Sequence, residues 1–234
     1  PFVIAIKEAG FAAASYESNN NLLAGVVCDI SKNVLEIAST DGNRLARARK
    51  IIDNKNDSNE KIIVPAKVLH EFLKLSFFID EDTIKLYPVN NKIMIKSNNI
   101  TIVSNVMNGQ YPQYNQLIPQ SFPKEAKINV QKMISALERV STMVNEKTSI
   151  VKFEFTQGLL NLKADTPETG NSQDEIEITY NGEDMVIAFN YKYLLECFKN
   201  IDSEDFIICM NTSLSATVIK PDNEEDFIYL VMPV

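Results

Sequence analysis

Residues 65–75, PAKVLHEFLKL, can be laid on residues 190–200, NYKYLLECFKN, without a gap. The overlay sets Lys67 on Lys192 and Lys74 on Lys199. Each stretch reads as the end of a strand running into an amphipathic helix. A second overlay, less close, sets residues 21–42 (NLLAGVVCDISKNVLEIASTDG) on residues 147–168 (KTSIVKFEFTQGLLNLKADTPE). The chain is therefore two copies of one helix–strands–helix–strands unit. An internal repeat constrains architecture more than any single propensity does, because each copy must bury the same faces in the same order. Two helices and six to eight short strands per copy, with strands that alternate apolar and polar, predict an α+β fold. In it, helices pack on one side of antiparallel sheets.

Between the copies, residues 108–126 (NGQYPQYNQLIPQSFPKEA) hold three of the nine prolines and no clear period. That is an extended connector, and it divides the chain into domains at 1–119 and 120–234. In the first copy, residues 4–16 predict a helix, 21–40 two strands, RLARARKII (44–52) an exposed strand and DNKNDSNE (53–60) a polar loop. Residues 82–106 predict three more strands. In the second, 129–144 predict a helix, SIVKFEF and LLNLKAD a hairpin, and DEIEITY a strand after a polar loop that contains Gly. Residues 189–201 predict strand end into helix. DFIICMN, SATVIK and the terminal DFIYLVMP predict three closing strands.

The chain has 234 residues, 45% of them hydrophobic and 23% charged, which suits two folded domains and excludes global disorder. No apolar run approaches the roughly 20 residues needed to span a bilayer. No basic n-region with an apolar h-region opens the chain, so secretion is not expected. A chain that opens on Pro1 is expected to be processed or cut from something longer. Cys28, Cys197 and Cys209 lie in apolar stretches without CxxC spacing, so buried thiols in a reducing cytoplasm are expected rather than disulfides or a zinc site. His70 is the sole histidine and has no partner motif, so a helix-surface position is expected.

The net charge of −8 argues against DNA binding by the molecule as a whole, but not by one basic face. The predicted helices carry Lys7; Lys67 and Lys74; Lys132 and Arg139; and Lys192 and Lys199. Each pair is seven residues apart, which returns to nearly the same helix face. Two readings stay open at this level. These are ordinary solvated faces, or repeated helices aim their cations at a phosphate backbone without reading base sequence. Catalytic options are poor. There is no Gly-rich phosphate loop, no HExxH and no GxSxG. Paired acids in DEDT (80–83) and DNEED (222–226) sit in turn-like segments.

TDGNRLA (40–46), VPAKVL (64–69), GQYPQYNQLIP (109–119), NEK (145–147), FNYKYLLE (189–196) and YLVMP (229–233) resemble the bacterial sliding clamp, the β subunit of DNA polymerase III. The motifs occur in the family's order and spacing, and they match its second and third domains. The resemblance implies repeated DNA-clamp domains and a non-catalytic processivity factor of the polymerase holoenzyme, without cofactor or metal. Family members close as head-to-tail homodimeric rings around duplex DNA. The seven cations above would then face DNA, Lys67 matching a family position best. The family also captures linear motifs of the polymerase III catalytic subunit, clamp loader, repair polymerases, mismatch repair proteins and ligase, in a pocket between its second and third domains.

Carried over by motif, that pocket would comprise Leu22, Leu23, Thr40, Gly42, Asn43, Arg44, Leu45, Pro112, Gln116 and Leu117. Asn190, Tyr193, Leu214, Ala216, Leu230, Met232, Pro233 and Val234 complete it. An apolar groove with a few polar handles suits a peptide anchored by Leu and Phe. Asn43 stands where members often carry His, Gln116 where they often carry Arg, and Leu22 where an aromatic is frequent. Two alternatives accompany this expectation. One is a complete two-domain clamp closing as a trimer, like the archaeal, eukaryotic and phage rings. The other is a metal-dependent enzyme using Asp80, Asp82, Asp222 or Glu224.

Overall fold

The structure, a computed structural model, describes residues 1–17, 21–54, 59–79, 83–144, 148–166, 170–222 and 224–234. The NEK stretch (145–147), Asp80, Asp82 and residues 55–58 of the expected polar loop lie outside these. The chain divides into two compact units, Pro1–Tyr114 and Asn115–Val234. The connector prolines had placed the boundary at 119/120. Tyr111 and Tyr114 belong with the first unit because their hydroxyls reach its strands, as described below.

In the first unit, helix α1 (Phe2–Ala9) precedes strands β1 (Gly25–Ser31), β2 (Val34–Thr40), β3 (Arg44–Ile51) and β4 (Glu60–Pro65). Helix α2 (Ala66–Ser76) and strands β5 (Lys85–Val89), β6 (Lys92–Lys96) and β7 (Thr101–Asn105) follow. The four-stranded sheet runs β3-β2-β1-β4, all antiparallel. The other sheet is the meander β5-β6-β7. Helix α2 buries Ala66, Leu69 and Phe72, a three-residue spacing that makes one face. Phe72 meets Phe2 of α1 with ring centroids 5.4 Å apart.

The helix expected over 4–16 ends at Ala9 and continues only as a 3-10 turn, Gly10–Ala12. A continuing helix would give the Ala9 carbonyl to the amide of Ala13. Here that carbonyl accepts the Ser39 hydroxyl at 2.5 Å. A side chain from β2 thus competes with the helix, which no local propensity reveals.

In the second unit, β8 (Lys124–Asn129) leads into α3 (Val130–Ser141). Then come β9 (Ile150–Thr156), β10 (Leu159–Thr166), β11 (Gly170–Glu177), β12 (Thr179–Tyr180), β13 (Met185–Asn190) and α4 (Tyr191–Asn200). Strands β14 (Asp205–Met210), β15 (Thr217–Pro221) and β16 (Phe227–Val231) close it. One sheet runs β11-β10-β9-β13. Within this unit the other runs β12-β8-β14-β15-β16.

The repeat reappears as topology. Order β3-β2-β1-β4 in the first unit equals β11-β10-β9-β13 in the second, and the meander β5-β6-β7 equals β14-β15-β16. Two segments differ from expectation. Strand β8 falls where connector and helix were expected. Only Ala126 and Ile128 alternate inward there, too little to stand out, and the strand is held by pairing with β14 and β12. The polar loop before DEIEITY is strand from Gly170 onward, since β10 supplies partners for its backbone whatever its side chains.

Phe153, Phe155 and Phe189 fill the core of the second unit beside Phe198 and Phe206, whose rings lie 4.4 Å apart. Each such burial contributes roughly 1.5–3 kcal/mol. The three cysteines are buried free thiols, and burial pushes the Cys28 thiol up to about 12. No helix among the described residues is long and apolar enough to cross a membrane.

Candidate functional site

The seven expected DNA-facing cations are all exposed, but they are not alike. Lys74 pairs with Glu71 at 2.8 Å, Arg139 with Asp174 at 2.6 Å and Lys199 with Glu138 at 2.8 Å. Lys7, Lys67, Lys132 and Lys192 make no ion pair among the described residues. Each of the four helices thus presents one cation with no ion pair among the described residues.

Lys67, Lys132 and Lys192 sit in the first turns of α2, α3 and α4. A helix N-terminus already carries partial positive charge, and a cation there is unfavourable by a few tenths of a kcal/mol up to about 1. None of the four helices has an acidic residue in its first turn to offset this. Local stability is thereby lost in exchange for positive potential of the kind that attracts phosphate. The paired cations nearer the helix C-termini are in exposed ion pairs of about 0–1 kcal/mol, which an incoming anion can exchange.

The turn Thr40–Arg44 is held from several sides. Thr40 Oγ1 donates to the Arg44 carbonyl at 2.5 Å and accepts the Gly42 amide at 3.1 Å. Asp41 Oδ1 accepts the amides of Asn43 and Arg44, and Asp41 Oδ2 accepts Arg44 Nε at 3.0 Å. The Tyr111 hydroxyl accepts the Thr40 amide and donates to the Gly25 carbonyl, at 3.1 and 3.2 Å. Gly42 takes φ +97, a conformation that L side chains avoid, and its Cα faces open space. Gly42 and Asn43 are therefore displayed by a braced turn.

Arg44 is buried. Besides Asp41, its guanidinium reaches the Phe11 carbonyl at 3.4 Å and lies over the Phe11 ring at 5.7 Å. Leu45 is only 1% exposed and belongs to the core. Leu22 and Leu23 are half-buried, with Leu22 against Gly109, where any β-carbon would sit 3.2 Å from it. Pro112 is exposed. Asp41, Tyr111 and Phe11, the braces of this turn, were not among the expected site residues. Asp41 and Tyr111 lie within motifs of the resemblance, TDGNRLA and GQYPQYNQLIP, whereas Phe11 lies in none of them.

In the second unit, Asn190 caps α4, its side-chain oxygen accepting the Lys192 amide at 3.0 Å. Asn129 does the same for α3 at 3.1 Å. Asn190 therefore has a structural task whatever else it contacts. Tyr193 is half-buried, and its carbonyl accepts the Tyr229 hydroxyl at 3.0 Å. Leu214 is 83% exposed on a turn where Ser215 Oγ accepts the Thr212 amide at 2.9 Å. Ala216 is half-buried beside it in sequence. The terminal run divides cleanly. Phe227, Tyr229, Leu230 and Val231 are buried in β16, whereas Met232 and Val234 are exposed and Pro233 is half-buried. The Val234 amide donates to the Ala188 carbonyl at 2.9 Å, which fixes the exposed end against β13. Gln116 and Leu117 are exposed.

An open depression of about 670 Å³ also lies in the second unit. Lys132 and Arg139 of α3 line it opposite Glu175 and Glu177 of β11, so its walls are oppositely charged. For the alternative acidic site, Asp222 is held by Lys127 at 2.5 Å, and Lys127 also meets Asp205 at 3.2 Å. Among the described residues no group of three or more His, Cys, Asp and Glu could hold a metal ion. His70 is exposed on α2, its Nε2 3.3 Å from the Gly10 carbonyl.

Comparison with known proteins matches both units. The family model for the DNA polymerase III beta subunit, C-terminal domain, matches residues 115–234, and that for its central domain matches residues 2–113. The chain is 31% identical over 233 residues to the beta sliding clamp of Streptococcus pneumoniae, covering 98% of this chain and 61% of that protein. It is 28% identical over 226 residues to the beta sliding clamp of Synechococcus elongatus, covering 95% and 60%. The crystal structure of the DNA polymerase III subunit beta from Pseudomonas aeruginosa superposes with TM-score 0.93 at 25% identity, covering 99% of this chain and 63% of that one. The chain thus spans about 60% of the length of the curated relatives it matches.

Proposed function

Because the chain belongs to the DNA polymerase III beta subunit family, matching its central and C-terminal domains in order, we propose that it is the corresponding part of a DNA sliding clamp. In the intact protein the clamp closes head to tail with a second copy, encircles duplex DNA and tethers the replicative polymerase. The observation that carries this reading is the match itself, which runs through both units from residue 2 to residue 234. The role is non-catalytic. The chain positions other proteins on DNA and makes or breaks no bond.

Two physical features support the division of labour. Lys7, Lys67, Lys132 and Lys192 supply one unpaired cation per helix, and the last three add to the positive end of their helices. Contacts of this kind hold phosphates without reading bases, which lets a protein slide. Lys74, Arg139 and Lys199 join them by exchanging a carboxylate for a phosphate.

The peptide-holding residues of the first unit are Leu22, Leu23, Gly42, Asn43 and Pro112, with Thr40, Arg44 and Leu45 shaping the turn. Those of the second are Gln116, Leu117, Tyr193, Leu214, Ala216, Met232, Pro233 and Val234, with Leu230 behind them and Asn190 capping the adjacent helix. Their ligands are short linear motifs of the polymerase catalytic subunit, the clamp loader, repair polymerases, mismatch repair proteins and ligase. An exposed Met on a fixed chain end adapts to several apolar anchors.

The test is direct binding of a fluorescent peptide of the QLxLF type to this chain. Short motifs lose ordering entropy on binding, so a micromolar dissociation constant is expected as an order of magnitude. Leu214→Ala with Met232→Ala should weaken it about tenfold or more, since each removes apolar contact area without touching the core. Unchanged binding in the double variant, with the fold intact, means that the peptide is held elsewhere.

A further inference from the structure

The outer face of the β5-β6-β7 meander combines two features that a solvated sheet face avoids. The register sets Tyr87 opposite Met94 and Met94 opposite Val103, so these three side chains form one row across the sheet. Tyr87 is 39% exposed and Val103 58%, while Ile93 and Ile95 on the reverse face are buried. The sheet therefore has one face in the core and an apolar row on the other. In the adjacent row Lys85 stands directly opposite Lys96, and Lys92 borders the apolar row on its other side.

All three lysines are exposed and make no ion pair among the described residues. The strand sequences KLYPV, KIMIK and TIVSN contain no acid. In a chain with 31 acids against 23 bases, this face is a local excess of positive charge. Like charges directly opposite in an antiparallel pair destabilise it, and among the described residues neither lysine has a carboxylate to relieve the other. Exposed apolar area rimmed by charge of one sign is the pattern of a binding surface.

We propose that this face docks an acidic peptide segment with apolar anchors, its carboxylates seated on Lys85, Lys92 and Lys96 and its apolar side chains on Tyr87, Met94 and Val103. Charge complementarity selects this occupant. A carboxylate at Lys85 and Lys96 removes their mutual repulsion, and the apolar row has no use for a phosphate backbone. The surface shares no residue with the peptide-holding or DNA-facing sets above, so the inference stands apart from them.

The experiment uses the whole chain and a short synthetic peptide alternating Asp or Glu with Leu and Phe, labelled for fluorescence anisotropy. The Met94 methyl resonance is followed in parallel. Saturable binding that shifts Met94 and weakens with salt is expected. Lys96→Glu should weaken it roughly tenfold, because it reverses a charge at the contact. The same change sets a carboxylate opposite Lys85, so thermal stability should hold or rise, which separates lost docking from lost fold. Val103→Thr, compatible with a strand, should also weaken the binding that Met94 reports. The proposal is overturned if Met94 does not respond, if Lys96→Glu binds as well as the parent, or if a duplex oligonucleotide shifts Met94 and the peptide does not. Self-association of the parent chain that Val103→Thr abolishes would also overturn it, by assigning the face to a second copy.

Discussion

Tyr114→Phe removes one oxygen from the connector and tests how the connector is tied to its unit. The Tyr114 hydroxyl donates to Glu36 Oε1 at 2.5 Å, and Arg49 Nε donates to Glu36 Oε2 at 2.6 Å. Both Tyr114 and Glu36 are buried. Burial alone would raise the Glu36 carboxyl. The hydrogen bonds from Tyr114 and Arg49, with the charges of Arg49 and Arg47, outweigh it and hold the group below its ordinary value. Burial and the Glu36 carboxylate push the Tyr114 phenol well above its own.

A hydrogen bond to a charged acceptor is worth about 1.5–3 kcal/mol, so the variant should lose about 2 kcal/mol at pH 7. The sign of the pH dependence follows from the lowered Glu36 carboxyl. Its contribution is complete above the unfolded value, near 4.3, and is lost as pH falls through the lower folded value. The variant lacks one of the interactions that hold the carboxyl down. Its deficit should therefore be largest at neutral pH and shrink to about 1 kcal/mol, that of a neutral hydrogen bond, once Glu36 is protonated in both proteins. Urea unfolding followed by circular dichroism at both pH values measures the difference. Amide hydrogen exchange across Val34–Thr40 assigns the loss to the strand that carries Glu36. A deficit below about 0.5 kcal/mol, or one equal at pH 7 and at acid pH, refutes the reasoning.

Four further outcomes are expected. Asn129→Ala and Asn190→Ala should each cost about 1 kcal/mol in thermal unfolding, while Asn190→Asp, which keeps the capping oxygen, should not; equal losses for Ala and Asp would remove the capping role. Gly42→Ala should cost on the order of 1 kcal/mol from backbone conformation alone, since its Cα faces open space, and retained stability would show that the turn relaxes. Leu45→Ala should cost about 2–5 kcal/mol as a core truncation, and a variant of full stability that merely binds peptide less well would place Leu45 on the surface. In the full-length protein, Lys132→Glu and Lys192→Glu should each lower the salt-dependence slope of duplex binding by about 1, and an unchanged slope would take these lysines off the DNA.

Sequence alone determined the repeat, and through it the fold class and the two units. Periodicity is a local property, and two copies of it leave little freedom in how the faces are buried. The same local property set Lys67, Lys74, Lys132, Arg139, Lys192 and Lys199 on exposed helix faces, because a spacing of seven survives whatever the helix packs against. Resemblance of motifs, not periodicity, supplied the residues proposed to hold a peptide. Tertiary structure decided what spacing does not encode. Glu71, Asp174 and Glu138 neutralise three of the seven cations, and the Asp174 pair crosses from helix to sheet. Strand β8 is held by ladders to β14 and β12, and α1 stops where Ser39 claims a carbonyl.

The terminal DFIYLVMPV shows both halves. Its short continuous apolar run predicts a strand, and β16 is one. That Leu230 is buried, Met232 exposed and Val234 tied to Ala188 depends on where the sheet ends and which backbone lies beside it. Hydrogen-bond partners distant in sequence leave no mark on the residues they select, so only the folded chain shows them.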